Sequence, residues 1–481
     1  MNVKLYKNIV DGEFYDAKSS EVLEVKSPLD NSVLGKVQAM SQEDVDVVMS
    51  SAKKSQKYWA QTTIAERAAL LYKVADLLVE KKEELGHFLM MEIAKDKKSS
   101  ISEVVRTADF LRFTADAAKS IEGQSIPSDS FPGFNKKKIS FVTREPLGVV
   151  LAISPFNYPV NLSASKIGPA LMAGNTIVFK PASQGALSGL FLAQVFKEAG
   201  IPAGVVNTVT GKGSVIGDYC VTHKDVDFVN FTGSTAVGQR ISKITEMTPL
   251  LLELGGKDAA IVLEDADLDL TAKNIVGGAF SYSGQRCTAV KRVLVMESVA
   301  DKLIEKVVEQ MAELKVGNPL EVEDAQVVPL IDTKAADFVE KLMKDTEDKG
   351  AKVVFGGKRD GNLIEPTLYD NVTLDMDIAW EEPFGPILPI IRVKSREEAI
   401  DIANQSEYGL QSSVFTQDIN EAFYIAKRLE VGTVQVNNKT ERGPDHFPFL
   451  GVKSSGMGTQ GIRYSIESMS RPKATVINIQ E

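Results

Sequence analysis

Five short apolar runs decide the fold of this chain: VVLAIS (149–154), TIVFK (176–180), VVNTV (205–209), FVNFT (228–232) and LLLEL (250–254). Segments with helical periodicity separate them. Continuous apolar strands that alternate with helices are typical of a parallel sheet covered by helices on both faces. Residues 148–256 therefore predict a doubly wound α/β domain, and such domains bind ligands at the carboxyl ends of their strands.

Regular patterns continue on both sides of this stretch. A second α/β alternation extends from about 259 to 435. The Asp-Gly pair at 11–12, between two short strand patterns, predicts a hairpin. Capping-box patterns at 41–44 and 63–66 each predict the start of a helix. A third helical pattern covers about 100–120, and we expect the apolar faces of all three helices to pack in the core.

Residues 121–147 differ from their surroundings. The segment GQSIPSDSFPGFNKKKISFVTREP has turn residues followed by a basic alternating strand, which indicates a ribbon that stands away from the main body. The last residues, KATVINIQE (473–481), also predict one extended strand. These two strands are expected to pair with each other or with another subunit.

Composition excludes several classes of function. The 481 residues suggest two or three domains, and the net charge of −10 argues against nucleic acid or an anionic membrane as the main partner. Two cysteines, Cys220 and Cys287, and three scattered histidines, His87, His223 and His446, predict neither a disulfide framework nor a metal centre. The absence of an apolar run of about 18 residues and of a signal-peptide pattern predicts a cytoplasmic protein without membrane spans.

One of the two cysteines is a candidate nucleophile. Cys287 lies in FSYSGQRCTAV beside Arg286, and an adjacent cation lowers the pKa of a thiol from about 8.5. The alternative is that Cys287 is simply a small buried hydrophobe, which is what we expect for Cys220.

Two polar residues at strand ends are candidates for catalysis. Glu253, between the leucines of LLLELGGK, suits a general base, although local N–H groups could equally satisfy a buried carboxylate there. The amide of Asn157, in ISPFNYP, could stabilise an oxyanion, but asparagine is also an ordinary turn residue.

The segment FTGSTAVG (231–238) follows a strand and opens a helix. Gly233 and Gly238 permit close approach of the backbone, and Ser234 can meet a phosphate or simply cap the helix. The segment matches neither a Walker loop nor GxGxxG. Lys180 ends another strand, in VFKPASQG, and no acidic residue follows it closely, which leaves room for the 2′-phosphate of NADP.

Together these segments resemble the aldehyde dehydrogenase superfamily over essentially the whole chain. The matching motifs are SPFNYP, FKPASQ, FTGSTAVG, LELGGK, GQRC and EEPFGP. A narrower match, to the non-phosphorylating NADP-dependent glyceraldehyde-3-phosphate dehydrogenase subfamily, is carried by FNYPVN, SGQRCTAVKR and NNKTERGPDHFPF. The resemblance implies two doubly wound α/β domains with a small β oligomerisation element.

The resemblance also assigns roles to individual residues. It makes Cys287 the nucleophile, Glu253 the base for deacylation, and the Asn157 amide with the Cys287 N–H the oxyanion hole. The cofactor, NADP or more weakly NAD, would contact Lys180, Ser183, Asp218, Gly233, Ser234, Glu382 and Phe384. The substrate would contact Arg106, Asn157, Tyr158, Arg286, Thr288 and Arg442.

Phosphate recognition is expected from the arginines, because a planar guanidinium grips phosphate with several donors. Arg286 is supported by its place beside the nucleophile, whereas Arg106 rests on the resemblance alone. Asp445 and His446 flank the Arg442 region, and an inward-facing acid there would weaken phosphate binding.

The implied reaction is oxidation of glyceraldehyde 3-phosphate to 3-phosphoglycerate through a cysteine thiohemiacetal and a thioester that water hydrolyses. Two alternatives stay open. One is a dehydrogenase for another anionic aldehyde, such as succinic semialdehyde, and the other is a non-catalytic binding or structural protein on the same scaffold.

We expect three structural parts. The cofactor domain would comprise 1–120, 148–256 and 440–460, and the catalytic domain 257–439. The oligomerisation element would comprise 121–147 and 461–481, and the family's fold implies that it builds a homotetramer.

Overall fold

The helices and strands below come from a computed structural model, which describes residues 3–480. The helices are α1 (Gln42–Trp59), α2 (Ile64–Glu80), α3 (Lys82–Ile93), α4 (Lys97–Lys119), α5 (Asn161–Met172), α6 (Ala186–Glu198), α7 (Asp218–Val221), α8 (Thr235–Ile244), α9 (Leu268–Phe280), α10 (Glu297–Ala312), α11 (Thr333–Asp348), α12 (Arg396–Gln405), α13 (Ile419–Ala426) and α14 (Ile462–Ser468). The strands are β1 (Leu5–Tyr6), β2 (Asn8–Val10), β3 (Glu13–Tyr15), β4 (Val22–Lys26), β5 (Val33–Gln38), β6 (Gln124–Pro127), β7 (Lys138–Pro146), β8 (Val149–Ile153), β9 (Thr176–Lys180), β10 (Val206–Thr208), β11 (Phe228–Thr232), β12 (Leu250–Glu253), β13 (Ala259–Val262), β14 (Arg292–Met296), β15 (Lys352–Phe355), β16 (Arg359–Asp360), β17 (Leu363–Ile364), β18 (Thr367–Asp370), β19 (Ile387–Val393), β20 (Tyr408–Gly409), β21 (Gln411–Phe415), β22 (Thr433–Val436), β23 (Val452–Lys453), β24 (Gly456–Met457) and β25 (Ser470–Asn478).

The five predicted apolar runs form one sheet. Its order is β10-β9-β8-β11-β12-β24, in which the first five strands are parallel and β24 closes the edge in the antiparallel sense. Both faces are buried: Val150 and Ala152 pack into one core, and Val149 and Leu151 pack into another. Two covered faces explain why these strands are apolar throughout instead of alternating, and the predicted doubly wound sheet is confirmed.

The second α/β stretch forms another sheet, in the order β15-β18-β19-β14-β13-β21-β22. Its neighbours are parallel except for the antiparallel pair β15 and β18. Alternate residues such as Ile261 and Val262 again belong to two different cores, one with α11 and α12 and the other with α9 and α10. The predicted second α/β unit is therefore confirmed.

The N-terminal segment covers the first sheet. The predicted hairpin is the pair β2 and β3, and Ser41 and Thr63 form capping boxes at the starts of α1 and α2. Helix α1 packs on one face of the sheet, while α2, α3 and α4 pack on the other. Helix α3 is a feature that no sequence pattern predicted.

The ribbon and the C-terminal strand pair within one chain. β25 lies antiparallel to β7, from Ser470 opposite Pro146 to Asn478 opposite Lys138, and β6 lies on the other side of β7. Exposed apolar side chains on this three-stranded sheet and its turn include Ile126, Phe131 and Ile477. The pairing is confirmed for the described part of this strand; Met1, Asn2 and Glu481, which fall within the expected domain ranges, lie outside the described residues.

The described chain has neither of two common features, a membrane-spanning helix and a metal cluster. None of its helices is both long enough and apolar enough to cross a membrane. Residues 3–480 also bring together no group of three or more His, Cys, Asp or Glu side chains suited to a metal ion.

Candidate active site

The carboxyl ends of four parallel strands meet at one edge of the first sheet. Asn157 follows β8, Lys180 ends β9, Ser234 follows β11 and Glu253 ends β12. Strand β8 has β9 and then β10 on one side and β11 on the other. The strand order therefore reverses between β8 and β11. Such a reversal opens a crevice for ligands, and four of the predicted site residues border it.

The nucleophile candidate is presented by a turn between α9 and β14. Tyr282, Ser283 and Gly284 in this turn have φ values of 53°, 54° and 68°, a left-handed conformation that is unfavourable for the first two. The Ser283 hydroxyl holds the turn in place, since it donates to the carbonyl of Val328 at 2.6 Å and accepts from its N–H at 2.7 Å.

This turn brings the three catalytic candidates together. The Cys287 thiol donates to Oε1 of Glu253 across 3.8 Å. The side-chain amide of Asn157 donates to the carbonyl of Gln285 at 2.9 Å, two residues before the nucleophile. Nucleophile, base and amide donor therefore lie in one cluster, where the two sheets face each other.

The ionisation of Cys287 differs from our expectation. Burial raises the pKa of the thiol above its usual value, and the nearby Glu253 carboxylate raises it further, while Lys291 acts in the opposite direction. The expected lowering by Arg286 was wrong, because its guanidinium donates to the carbonyl of Gly278 and points back toward α9. The structure therefore does not place Arg286 at a substrate phosphate.

Two groups besides the thiol hold Glu253, the Thr232 hydroxyl and the Arg442 guanidinium. Its side chain is 3% exposed, and Oε2 accepts a hydrogen bond from the Thr232 hydroxyl at 3.1 Å. Nη1 of Arg442 lies 3.2 and 3.1 Å from the two carboxylate oxygens, and Nη2 of Arg442 donates to Gln460 at 2.7 Å. Arg442, predicted as a phosphate ligand, is thus paired with the proposed base.

A buried lysine that our sequence analysis missed also belongs to this cluster. Lys166 donates to the Thr232 hydroxyl at 2.6 Å, and burial lowers the pKa of its ammonium group to about 7. It is the single charged residue in α5, among the small and apolar residues NLSASKIGPALM. The signal that could have identified Lys166 is a lone charge in a helix whose other residues are all uncharged.

The residues expected to bind the phosphate of the substrate lie beside α4. Arg106 and Tyr158 line a common cavity of about 350 Å³. Asp445 grips Arg106 with both oxygens, at 2.8 Å from Nε and 2.9 Å from Nη2, and lies 3.8 Å from Nε of Arg442. Asp445 therefore faces the arginines, whereas His446 stacks on Phe113 with ring centroids 5.2 Å apart.

Thr288, next to the nucleophile, is buried. Its carbonyl accepts a hydrogen bond from the Thr440 hydroxyl at 2.9 Å, which joins the nucleophile turn to the segment that carries Arg442.

The adenosine end of the predicted cofactor site has a nearly buried cation. Lys180 is 7% exposed, burial lowers the pKa of its ammonium group, and no acceptor among residues 3–480 bonds to it. Ser183 lines a neighbouring cleft of about 730 Å³. Asp218, by contrast, lies on α7 in an exposed ion pair with Arg240, so its predicted cofactor contact gains no support from this geometry.

The other cofactor residues surround the opposite end of the crevice. Ser234 precedes α8 but its side chain does not cap the helix, which leaves the N–H groups of the first turn free for a phosphate, and Gly233 lies directly before it. Glu382 accepts from the N–H of Gly256 and from Lys291, each at 3.2 Å. Phe384 packs edge-on against another ring, that of Phe156, at 5.9 Å. These groups fit a dinucleotide.

Comparison with known proteins gives consistent matches over the full length. The model of the aldehyde dehydrogenase family matches residues 14–475. The NADP-dependent glyceraldehyde-3-phosphate dehydrogenase of Streptococcus equinus is 58% identical over 476 residues, covering 99% of both chains. The enzyme of the same name from Pisum sativum is 52% identical, covering 99% of this chain and 96% of its own. The crystal structure of the Bacillus halodurans enzyme complexed with NADP is 54% identical, with a TM-score of 0.97 over 100% of both chains.

Proposed function

Because the chain belongs to the aldehyde dehydrogenase family, we propose that it oxidises glyceraldehyde 3-phosphate to 3-phosphoglycerate with NADP. The observation that carries the proposal is the cluster in which the Cys287 thiol reaches Glu253 across 3.8 Å and the Asn157 amide is fastened beside the nucleophile turn. The choice of substrate and cofactor is supported by relatives named NADP-dependent glyceraldehyde-3-phosphate dehydrogenase. These relatives are 50–58% identical to this chain over 99% of its length.

The first chemical step belongs to Cys287. Cys287 reacts as the thiolate, after its proton has passed to solvent, and the sulfur bonds to the aldehyde carbon to give a thiohemiacetal. The negative charge that develops on the aldehyde oxygen is stabilised by the Asn157 amide and the N–H of Cys287. A donor of this kind contributes about 10²–10³ in rate.

The residues around the crevice are suited to hold NADP. Lys180 and Ser183 would bind the adenosine ribose and its 2′-phosphate, the N-terminus of α8 at Ser234 the pyrophosphate, and Glu382 the nicotinamide ribose. When bound, the cofactor supplies the acceptor for the hydride that leaves the substrate carbon. NAD would also fit, but it would leave the nearly buried Lys180 without its anionic partner.

Glu253 acts in the second half of the reaction. It takes a proton from a water molecule, whose oxygen attacks the thioester carbon, and the C–S bond breaks to release the acid and the Cys287 thiolate. The use of water instead of inorganic phosphate makes the product 3-phosphoglycerate. The Arg442 guanidinium contacts both carboxylate oxygens of Glu253 and so holds the base in position.

We assign the phosphate of the substrate to the cavity that Arg106 and Tyr158 line. Asp445 already occupies Arg106, so an incoming phosphate must compete with a carboxylate for this guanidinium. A dianion competes better than the single charge of succinic semialdehyde, and this favours the phosphorylated substrate over its rival.

The test is initial-rate reduction of NADP⁺, followed by NADPH absorbance, in buffer without phosphate. Glyceraldehyde 3-phosphate should give the highest kcat/KM, with one 3-phosphoglycerate formed per NADPH, and succinic semialdehyde and propanal should give lower values. A higher kcat/KM with succinic semialdehyde would identify that aldehyde as the preferred substrate. Binding of NADP⁺ without turnover of any aldehyde, together with an inert Cys287→Ala variant, would support the non-catalytic reading.

We also propose that the enzyme is a cytoplasmic homotetramer with the three structural parts expected from the sequence. The exposed apolar side chains of the β6, β7 and β25 sheet, among them Phe141 and Val476, support an assembly through this sheet. Both cysteines are free thiols, as in a reducing compartment. Analytical ultracentrifugation tests the assembly, and a monomer at micromolar concentration would overturn it.

A further inference from the structure

A buried ion pair borders the cavity that we assign to the substrate phosphate, and its acidic member, Glu103, is one of the lining residues. Lys95 lies two residues before the start of α4 and Glu103 lies within this helix, and their ammonium and carboxylate groups are in contact. Each side chain is 1% exposed. A buried ion pair contributes little net stability compared with apolar residues of the same size, so its presence calls for another explanation.

Both members of the pair bind the segment 157–161. Lys95 Nζ donates to the carbonyl of Asn157 at 2.8 Å. The remaining oxygen of Glu103 accepts from the N–H groups of Val160 and Asn161, at 3.0 and 3.1 Å. These N–H groups lie at the start of α5, which has no side-chain cap of its own from Val160. The pair therefore fixes both ends of a short segment that carries the oxyanion amide.

The ammonium group of Lys95 also lies against two aromatic rings. Its Nζ is 3.6 Å from the ring centroid of Tyr158 and 4.8 Å from that of Tyr282, and the two rings meet edge to face at 6.3 Å. Tyr158 lines the cavity assigned to the substrate phosphate, and Tyr282 belongs to the left-handed turn that presents the nucleophile. The cation thus contacts both halves of the site at once.

We infer that the Lys95–Glu103 pair positions the oxyanion amide of Asn157 and the ring of Tyr158 relative to the nucleophile turn. Neither side chain touches the reacting atoms, so both are positioning residues. This inference deepens the proposed function and rests on it for the role of Tyr158. The role of Asn157 does not depend on which aldehyde is the substrate.

The test uses Lys95→Met and Glu103→Gln, which keep the shape of each side chain and remove its charge. The inference expects kcat to fall on the order of 10²-fold for every aldehyde, because the oxyanion donor is displaced. It also expects the KM for glyceraldehyde 3-phosphate to rise about tenfold, from weaker contact with Tyr158, while the KM for unphosphorylated glyceraldehyde stays constant.

Rates are expressed per reactive Cys287, counted by alkylation with labelled iodoacetamide, so that unfolded protein does not lower them. Cys220 is fully buried and does not react in the folded enzyme. Lys97→Met is the matched control, since Lys97 is exposed and lies two residues from Lys95; it should behave as wild type. If one variant does not fold, the other decides, and Lys95→Arg, which keeps a cation for Glu103, replaces both if neither folds.

Two results would overturn the inference. One is a kcat per reactive thiol within threefold of wild type in the folded variants. The other is equal KM changes for the phosphorylated and unphosphorylated aldehydes, as a loosened structure would give. Failure of the proposed function can be distinguished from failure of this inference, because the wild-type enzyme itself would then not oxidise glyceraldehyde 3-phosphate. In that case the kcat values of the variants and the wild type are compared with the aldehyde that the wild type does oxidise.

Discussion

Replacement of Glu253 by glutamine should make the Cys287 thiol more acidic. The carboxylate lies 3.8 Å from the sulfur, and its negative charge is one of the causes that raise the pKa of the thiol. Glutamine keeps the size of the side chain and removes the charge. The thiolate is then no longer opposed by a neighbouring anion, so the pKa of the thiol must fall.

The distance sets the size of the effect. Two unit charges 3.8 Å apart interact by about 1 kcal/mol in a water-like medium and by about 4 kcal/mol at an effective dielectric constant of about 20. At about 1.36 kcal/mol per pKa unit, this corresponds to roughly one to three units. Arg442, 3.1 Å from the same carboxylate, keeps its charge in both proteins and does not alter this difference, so the smaller value, about one unit, is the minimum shift we expect.

The assay is the rate of alkylation by iodoacetamide as a function of pH, without cofactor. Only the thiolate reacts, so below the pKa of the thiol the rate rises about tenfold per pH unit. A pKa lower by one unit therefore makes Glu253→Gln react about tenfold faster than wild type at the same neutral pH. Glu264→Gln, the same exchange on an exposed loop, should leave the profile unchanged.

The same variant should lose the second half of the reaction. Without its base, hydrolysis of the thioester slows by about 10²–10⁴-fold, so NADPH should appear in one burst equal to the enzyme concentration. An alkylation profile of Glu253→Gln that is unchanged, or shifted to higher pH, would refute the electrostatic argument.

Three further predictions concern other parts of the molecule. Lys180→Met should raise the KM for NADP⁺ at least about tenfold and change that for NAD⁺ much less, as steady-state kinetics with both cofactors will show. Asp445→Asn frees Arg106 and should lower the KM for glyceraldehyde 3-phosphate about threefold or more, without a change for unphosphorylated glyceraldehyde. Glu92→Gln should destabilise the fold by at least about 2 kcal/mol, measured by urea unfolding, because the buried carboxylate accepts four hydrogen bonds, two of them from Ser188. An unchanged KM ratio in either kinetic test, or an unchanged unfolding midpoint in the third, would contradict the corresponding contact.

Backbone features were predictable because their causes are local. The strands of the first sheet follow from apolar runs, and the starts of α1 and α2 follow from Ser41 and Thr63, whose side chains bond only three residues ahead. The gathering of Asn157 and Glu253 followed from one rule, that parallel strands present their carboxyl ends at the same edge.

The orientation of long charged side chains was not predictable. Arg286 lies next to Cys287 in sequence, yet its flexible side chain reaches back to a helix carbonyl, so adjacency says nothing about which way the charge points. Arg442 meets Glu253 although 189 positions separate them. The pKa of Cys287 follows from these tertiary contacts, and Lys95 acquires its importance only when α4 packs beside the segment that follows β8.

The antiparallel edge strand β24 has a consequence for the synthesis of the protein. It pairs Gly456 with Glu253 and Met457 with Leu252, so one edge of the strand that carries the base stays unpaired until the ribosome has made these two residues, about 200 positions after Glu253. In a nascent chain that stops before this point, the crevice around the reactive thiol is incomplete. The unpaired edge of β12 can then form hydrogen bonds with strands of other chains. The catalytic apparatus is therefore incomplete until this strand has been made, and products terminated before it should be inactive and prone to aggregate.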